Sequence, residues 1–456
     1  MYDANDTFYT RCVMELADSV PVITSQAIFS VTGIKLINPG IRLDSSFFER
    51  LAQHNLLPPL EQCLRVEGGV DSEAIAEMAR HMLQHDAVLK RMAQTLPDSE
   101  ALLAPLLKVN LCEPVIFLLT LAREQRAEML HHSVKVALIS VYLGIRQGMS
   151  LQHLIVLASA GLFHDLGEMR IDARLLESEH KKTPEERKLL RTHPAISRHI
   201  LLNAAAYPLE TLSAVLQHHE RMDGSGYPSG LSGGEINRHG RILSMAEAVA
   251  DKLDMCTSRI ETALEFMLKL NAHQFDSHLL SIMSSLFARD DGNNEQQALT
   301  ATPVSVSHIH YEIEKIGLAL NYWQRLLDKT HPAPRSAAAF IQQRLARLGF
   351  SSRAAGINPA DKRSLTAGIE QDEASLAEVE QLSSEALQQV RETVFEVHRR
   401  WPDFQSDHGE QGDVVSGWME HMEELLLSAE ERAFHAQILP DGEAEHGLAS
   451  EKTRSR

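Results

Sequence analysis

The sequence predicts a mainly all-α protein, a central helical domain flanked by a small mixed region and by further helices. Three observations carry that prediction. Apolar residues recur at helical spacing over most of the chain, prolines and capping residues stand where those stretches open, and the strand-like stretches sit near the N-terminus. A chain of 456 residues is also too long for one ordinary core, so two or three domains are expected. The reading places a small mixed α/β accessory or regulatory region at 1–112, the main helical domain at 113–290, and a helical region with an acidic tail at 300–456.

In the first region, Val20 to Val31 contains β-branched stretches, and Gly33 to Gly40 reads as a strand running into a turn. Ser45 to Leu57 and Ser72 to Leu96 carry helical spacing, with Pro58-Pro59 between them. From about Val115 to Leu286 the pattern is mostly helical. Thr183-Pro184-Glu185-Glu186 is a helix start, and Pro208 opens a helix whose apolar face runs through Leu212, Val215 and Leu216 to His219. Asp223 to Gly234 is too rich in glycine to be anything but a loop. Asp290 to Glu295 marks a boundary. Beyond it, helices are broken at His331 to Ser336 and at Ser351 to Asp361, and Leu387, Val390, Val394 and Val397 have the spacing of bundle core.

Composition excludes several classes. The net charge of −18 argues against a nucleic-acid polymer as partner, since phosphate-backbone binding needs a basic surface. The longest apolar runs, Val136 to Ile145 and Leu154 to Phe163, are about half the ~20 residues a membrane helix needs. The N-terminus lacks the basic and apolar regions of a secretory signal. Cys12, Cys63, Cys112 and Cys256 are far apart and form no CxxC pair, which fits a reducing cytoplasm better than disulfides or a thiolate zinc site.

Nine of the 23 histidines fall between His131 and His219, and the chemistry is sought there. Glu128 and His132 share one helix face; His164-Asp165 and His218-His219 each end an apolar helix. His193 stands before Pro194, Glu247 lies on the helix from Arg241, and Asp223 opens the glycine loop. Imidazoles and carboxylates without thiolates suit iron, manganese or similar divalent ions. Adjacent ligands fan out by ~100° on a helix and can serve neighbouring metals, which together can clamp a phosphate.

These residues, with the segment His218-His219-Glu220-Arg221-Met222-Asp223-Gly224-Ser225-Gly226-Tyr227-Pro228, resemble the HD-GYP family, HD-type metal-dependent phosphohydrolases that degrade cyclic di-GMP. The resemblance covers roughly 115–285, in the family's order. It implies an HD-type helical domain with two or three divalent ions, iron or manganese, held by Glu128, His132, His164, Asp165, His193, His218, His219 and Glu247. Asp165 would bridge, and catalysis would fall to Asp165, His164 and Asp223. Gly226, Tyr227, Pro228 and Arg170 would meet the substrate.

Three departures from the family pattern touch the site. Glu168 stands where the family has a lysine that contacts the substrate phosphate, and Ala250 replaces an aspartate; an Arg-Pro-Tyr element is missing near Cys256 to Arg259. The expected function is therefore hydrolysis of cyclic di-GMP to the linear dinucleotide, and further to GMP where a second cut follows. The alternatives are a cyclic di-GMP- or partner-binding signalling module without turnover, or a phosphohydrolase for another cyclic nucleotide. Protein partners in signalling and a homodimer are compatible with the sequence.

Overall fold

The computed structural model describes residues 7–176, 184–255, 260–287, 306–327, 332–333, 336–354, 373–401 and 410–426. The chain divides into two compact units, Met1–Thr302 and Pro303–Arg456. The expected boundary at Asp290 to Glu295 lies outside the described residues.

The first unit opens with α1 (Thr7–Ser19) and two small antiparallel sheets. Strand β1 (Val22–Thr24) pairs with β4 (Leu64–Val66), Val22 opposite Val66, and β2 (Ile28–Phe29) pairs with β3 (Lys35–Ile37). Helix α2 (Phe48–Ala52) is shorter than the spacing of Ser45 to Leu57 predicts. Sheet-like pairing captures the rest: Val31 N–H donates to the Asn55 carbonyl at 2.8 Å, and Leu57 N–H to that of Phe29 at 3.0 Å. The stretch from Ser72 is two helices, α3 (Ser72–His85) and α4 (Ala87–Gln94). Asp86 breaks it, with extended backbone and a carboxylate that accepts from Val88 N–H and Leu89 N–H at 2.9 and 3.0 Å, the N-cap pattern.

The helices that position the site follow α5 (Leu103–Leu106): α6 (Glu113–Gln125), α7 (Ala127–Arg146), α8 (Leu151–Phe163), α9 (Ala173–Leu176), α10 (Pro184–Leu190), α11 (His193–Ala204), α12 (Leu209–Gln217), α13 (Arg238–Met255), α14 (Ile260–Leu270) and α15 (Ser277–Phe287). The two long apolar runs become the adjoining helices α7 and α8, nearly hydrophobic all round because they lie in the core. Among the described residues no helix is long and apolar enough to cross a membrane. Helix α13 packs on α7, α12 on α13, and α11 on α12, which brings the C-terminal ends of α8 and α12 to the start of α11.

The expected division near residue 112 is no break in packing. One hydrophobic cluster runs from Tyr9, Leu16 and Leu64 through Phe117 and Phe163 to Met283 and Phe287. The reason is local: α6 lies directly against β4 and α1, so its apolar face is covered by the N-terminal residues.

The second unit is a bundle of α16 (Val306–Leu327), α17 (Ala337–Ala354), α18 (Glu373–Arg400) and α19 (Glu410–Leu426). Leu387, Val390 and Val397 are buried in its core with Ile316, Trp323 and Trp418, and Val394 packs at the edge. Of the break expected at Ser351 to Asp361, the first four residues still belong to α17 and the others lie outside the described residues.

Because the core is shared, Leu64→Ala, a fully buried residue in the N-terminal sheet, should destabilise the whole first unit by about 2–5 kcal/mol. Denaturant unfolding followed by far-UV circular dichroism should show the midpoint fall. An unchanged midpoint would mean that the N-terminal residues do not support the helical core.

Candidate metal centre

The structure gathers seven of the eight expected ligands at one place in the helical core. Their atoms form two sets, His132, His164, Asp165 and Glu247, and His193, His218 and His219, and within each set they lie within 4.8 Å of one another. A third set joins Asp165, Glu168 and His193. Glu128 belongs to none of these: one turn before His132 on α7, it is exposed to solvent.

The first question is which ring nitrogen of each histidine faces the centre. His164 Nδ1 lies 2.8 Å from the Gly161 carbonyl, His193 Nδ1 2.8 Å from that of Leu190, and His218 Nδ1 2.6 Å from that of Val215. A carbonyl only accepts, so each Nδ1 carries a proton and each Nε2 is turned to the centre, where it offers a lone pair whenever the ring is neutral. The three carbonyls belong to the last turns of α8, α10 and α12, where the helix provides them with no partner. Helix ends thus fix both ring orientation and tautomer. His132 is set by a side chain instead: Nδ1 donates to Asp254 Oδ2 at 2.7 Å, and Asp254 is itself held by Lys135. Asp254 lies seven residues after Glu247 on α13, so both carboxylates share the face turned to His132.

The inward nitrogens then meet groups that cannot satisfy them. His193 Nε2 and His218 Nε2 face each other at 3.1 Å, both with lone pairs. His164 Nε2 is 2.9 Å from Asp165 Oδ2 and 3.0 Å from Glu247 Oε2, yet it is buried and hydrogen-bonded to neither. Asp165 is divided between the sets. Its Oδ2 faces His164, while its Oδ1 is buried without a hydrogen bond at 3.3 Å from His193 Nε2 and 3.6 Å from His218 Nε2. Lone pairs converging on one another need a proton or a metal ion between them. The orphaned His164 Nε2 and Asp165 Oδ1 therefore fit a divalent cation, with Asp165 in the position of a bridge.

The titration of the metal-free protein follows the same division. Burial disfavours the charged form of His164, but Asp165 and Glu247 outweigh it and push the imidazole up to about 10. His132 rises well above its ordinary value in the same way, with Glu247 and Asp254 overriding burial. In the other set, burial and neighbouring imidazoles push His218 down to about 3 and hold His219 well below the usual range. The carboxylates of Asp165 and Glu247 stay ionised, because the facing imidazoles overcome the cost of burial.

Asp165 opens a short 3-10 turn, Leu166–Arg170, that packs on α11. The approach is close enough to require glycine: a Cβ on Gly167 would lie 2.4 Å from the His193 carbonyl and 2.9 Å from Ser197 N. Arg126 pins the turn by donating to the Glu168 carbonyl at 2.7 Å and the Ile171 carbonyl at 2.6 Å. The Glu168 carboxyl is pushed up to about 8 by burial and by the charge of Asp165.

Three further expected residues are placed as follows. Arg170 turns to the N-terminal residues. It is bound to Glu61 at 2.5 Å and lies over the Tyr9 ring at 4.5 Å, a buried carboxylate and an aromatic face drawing it away from the centre. Asp223 organises the glycine loop: Oδ1 accepts from Ser225 N–H at 2.9 Å and Oδ2 lies 3.6 Å from His273. Gly226 is a packing residue, since a Cβ there would meet the backbone of His219 and Glu220 at 2.4 Å. That contact seats Tyr227 on His219, ring centroids 4.6 Å apart and nearly parallel. Pro228 is exposed next to it, and the Cys256 to Arg259 segment lies outside the described residues.

Sequence reasoning missed Asp254, Arg126, Glu220 and Arg191. Glu220 is buried and holds the loop through Ser229 N–H and Leu231 N–H at 2.7 and 2.8 Å. Arg191 lies 4.8 Å over the Tyr227 ring. Only Asp254 left a signal, its spacing from Glu247.

Replacing Asp254 with Asn should lower divalent-metal affinity about 10- to 100-fold while leaving the fold intact, because it removes the group that orients His132. Competition against a chromophoric chelator measures this, and wild-type affinity would show that His132 needs no such support.

Residues 117–279 match the family model described as HD domain. Among curated proteins, the chain is 27% identical over 260 residues to a cyclic di-GMP phosphodiesterase of Pseudomonas aeruginosa, covering 54% of this chain and 58% of that protein. It is 36% identical over 148 residues to a cyclic di-GMP phosphodiesterase of Thermotoga maritima, covering 32% and 39%. It is 32% identical over 117 residues to a 3'3'-cGAMP-specific phosphodiesterase of Vibrio cholerae, covering 25% of each. The matches thus span from about a quarter to somewhat over half of those relatives. The segment that carries the histidine and carboxylate cluster, residues 117–279, is an HD domain.

Proposed function

We propose that this protein is a metal-dependent phosphodiesterase that hydrolyses cyclic di-GMP to the linear dinucleotide. The observation that carries the proposal is the division of Asp165 between two imidazole groups, with His164 Nε2 and Asp165 Oδ1 buried and unsatisfied. Two divalent ions, iron or manganese, suit a set of nitrogen and oxygen donors without sulfur. When bound, such ions supply an activated water and Lewis-acid stabilisation of the phosphoryl oxygens. His132, His164, Asp165 and Glu247 would hold one, and Asp165, His193, His218 and His219 the other.

The residues around this centre do the rest. Tyr227 presents an aromatic ring beside His219, where a base or ribose can pack, and Arg191 brings a guanidinium over that ring. Arg191 is a cation beside this ring, and a phosphate oxygen is the group it would meet on this reading. The names of the relatives support a cyclic dinucleotide as substrate, and 3'3'-cGAMP is the competing one. A reducing compartment is supported by Cys12, Cys63 and Cys112, all free thiols.

Protein reconstituted with iron or manganese should contain at least two ions per chain and cleave cyclic di-GMP. His164→Ala and Asp165→Ala should abolish turnover, by more than about a thousandfold, with helicity retained, because each removes donors the centre needs. Elemental analysis and chromatography of the products test both. Preferred cleavage of 3'3'-cGAMP would reassign the substrate, and undiminished turnover in Asp165→Ala would overturn the proposal.

A further inference from the structure

We propose that Glu168 is itself a metal ligand, supplying with Asp165 and His193 a third donor set for a divalent cation. This rests on the metal-centre reading above and adds to it a residue for which that reading has no role.

Four observations support it. The donor atoms of Asp165, Glu168 and His193 lie within 4.8 Å of one another. Two of these donors already point at the same space without being satisfied there: Asp165 Oδ1 is buried with no hydrogen bond, and His193 Nε2 turns its lone pair that way because Nδ1 donates to the Leu190 carbonyl. The backbone of Glu168 is fixed at both ends, its N–H on the Asp165 carbonyl at 2.9 Å and its carbonyl on Arg126 at 2.7 Å, so its side chain projects from a rigid turn. Its carboxylate has charged neighbours, Asp165 and Arg126 first among them, and no hydrogen bond among the described residues. The centre thus gains a carboxylate from the turn after Asp165, while Glu128, the extra carboxylate expected from α7, stays in solvent.

Two carboxylates and one imidazole form a hard, oxygen-rich set, which favours manganese or magnesium over softer ions. An anionic ligand at this position would also account for a chain that carries Glu where a substrate-contacting cation was expected. Its charge is turned to the metal and not to the phosphate.

The test measures metal first. Wild type, Glu168→Gln, Glu168→Lys and, as a reference for the centre as a whole, His164→Ala are stripped with chelator and titrated with manganese. Free manganese is read by electron paramagnetic resonance, and bound metal by elemental analysis. Glu168→Gln should weaken one manganese equivalent at least tenfold, leave the others in place, and lower the preference for manganese over zinc. Glu168→Asp, with the same charge on a shorter arm, should recover part of the loss, which separates coordination from a folding defect. If Glu168→Gln or Glu168→Lys binds manganese as wild type does while His164→Ala loses it, the proposal for Glu168 fails and the metal centre stands. If wild type itself takes up no metal, both fall together. A lower KM in Glu168→Lys with unchanged metal content would identify Glu168 as a repulsive neighbour of the substrate and overturn the assignment.

Discussion

The site turns on Asp165, a carboxylate buried in a helical core with one oxygen facing each of two imidazole groups. Burying such a charge costs several kcal/mol unless positive charge and hydrogen bonds compensate it. The surrounding structure is arranged for that compensation. Helix-end carbonyls hold the Nδ1 protons of three histidines, so that Nε2 lone pairs converge on the carboxylate. Gly167 lets the turn after Asp165 press against α11, and Arg126 keeps it there. Each of these devices costs little by itself, since it satisfies backbone groups that need partners anyway. Together they hold apart a set of donors that would otherwise relax by rotating into mutual hydrogen bonds.

The glycine loop shows how motif residues divide their labour. Spelled out in sequence, Asp223, Gly226, Tyr227 and Pro228 invite a catalytic reading as a block. In the fold, Asp223 closes a turn, Gly226 allows backbone to touch backbone, and Glu220 gathers two loop amides from within the core. The product of that scaffolding is one placement, Tyr227 stacked on His219. On the proposed reading, the loop serves the chemistry through the side chain it delivers, and most of its specific residues serve the delivery.

The features legible in the sequence were those set by short-range rules. The two apolar runs at Val136 to Ile145 and Leu154 to Phe163, the proline-opened helix before His218, and the HD and HH pairs at helix ends all depend on spacing within a single element. The failures share a different cause. Arg170 is claimed by Glu61, 109 residues earlier, and Asp254 supports His132 from 122 residues away; no local pattern announces such pairs. Glu128 has the right helical phase for His132, but phase does not decide whether a first-turn glutamate bends inward or stays in water. Near residue 112 the packing is continuous, because α6 has the N-terminal strand β4 and helix α1 as its cover, a contact that local spacing does not announce.

The arrangement of charge also bears on how an anionic substrate can be bound by a chain with a net charge of −18. Near the turn that carries Glu168, the guanidinium of Arg126 is occupied by two backbone carbonyls and that of Arg170 by Glu61. Without bound cations, the charges of Asp165 and Glu247 are countered by the imidazoles of His164 and His132, and Glu168 is largely protonated at neutral pH, so little positive charge is left over for a phosphate diester. At an effective dielectric near 20, two unit charges about 4 Å apart interact by about 4 kcal/mol, enough to change affinity by nearly a thousandfold. On the proposed reading, these carboxylates and imidazoles create the substrate's binding site once ions are in place, because each ion takes the place of protons and adds positive charge. Metal binding and substrate binding are then one coupled process. On that reading, the positive charge that meets the phosphate is supplied by the ions the polypeptide holds.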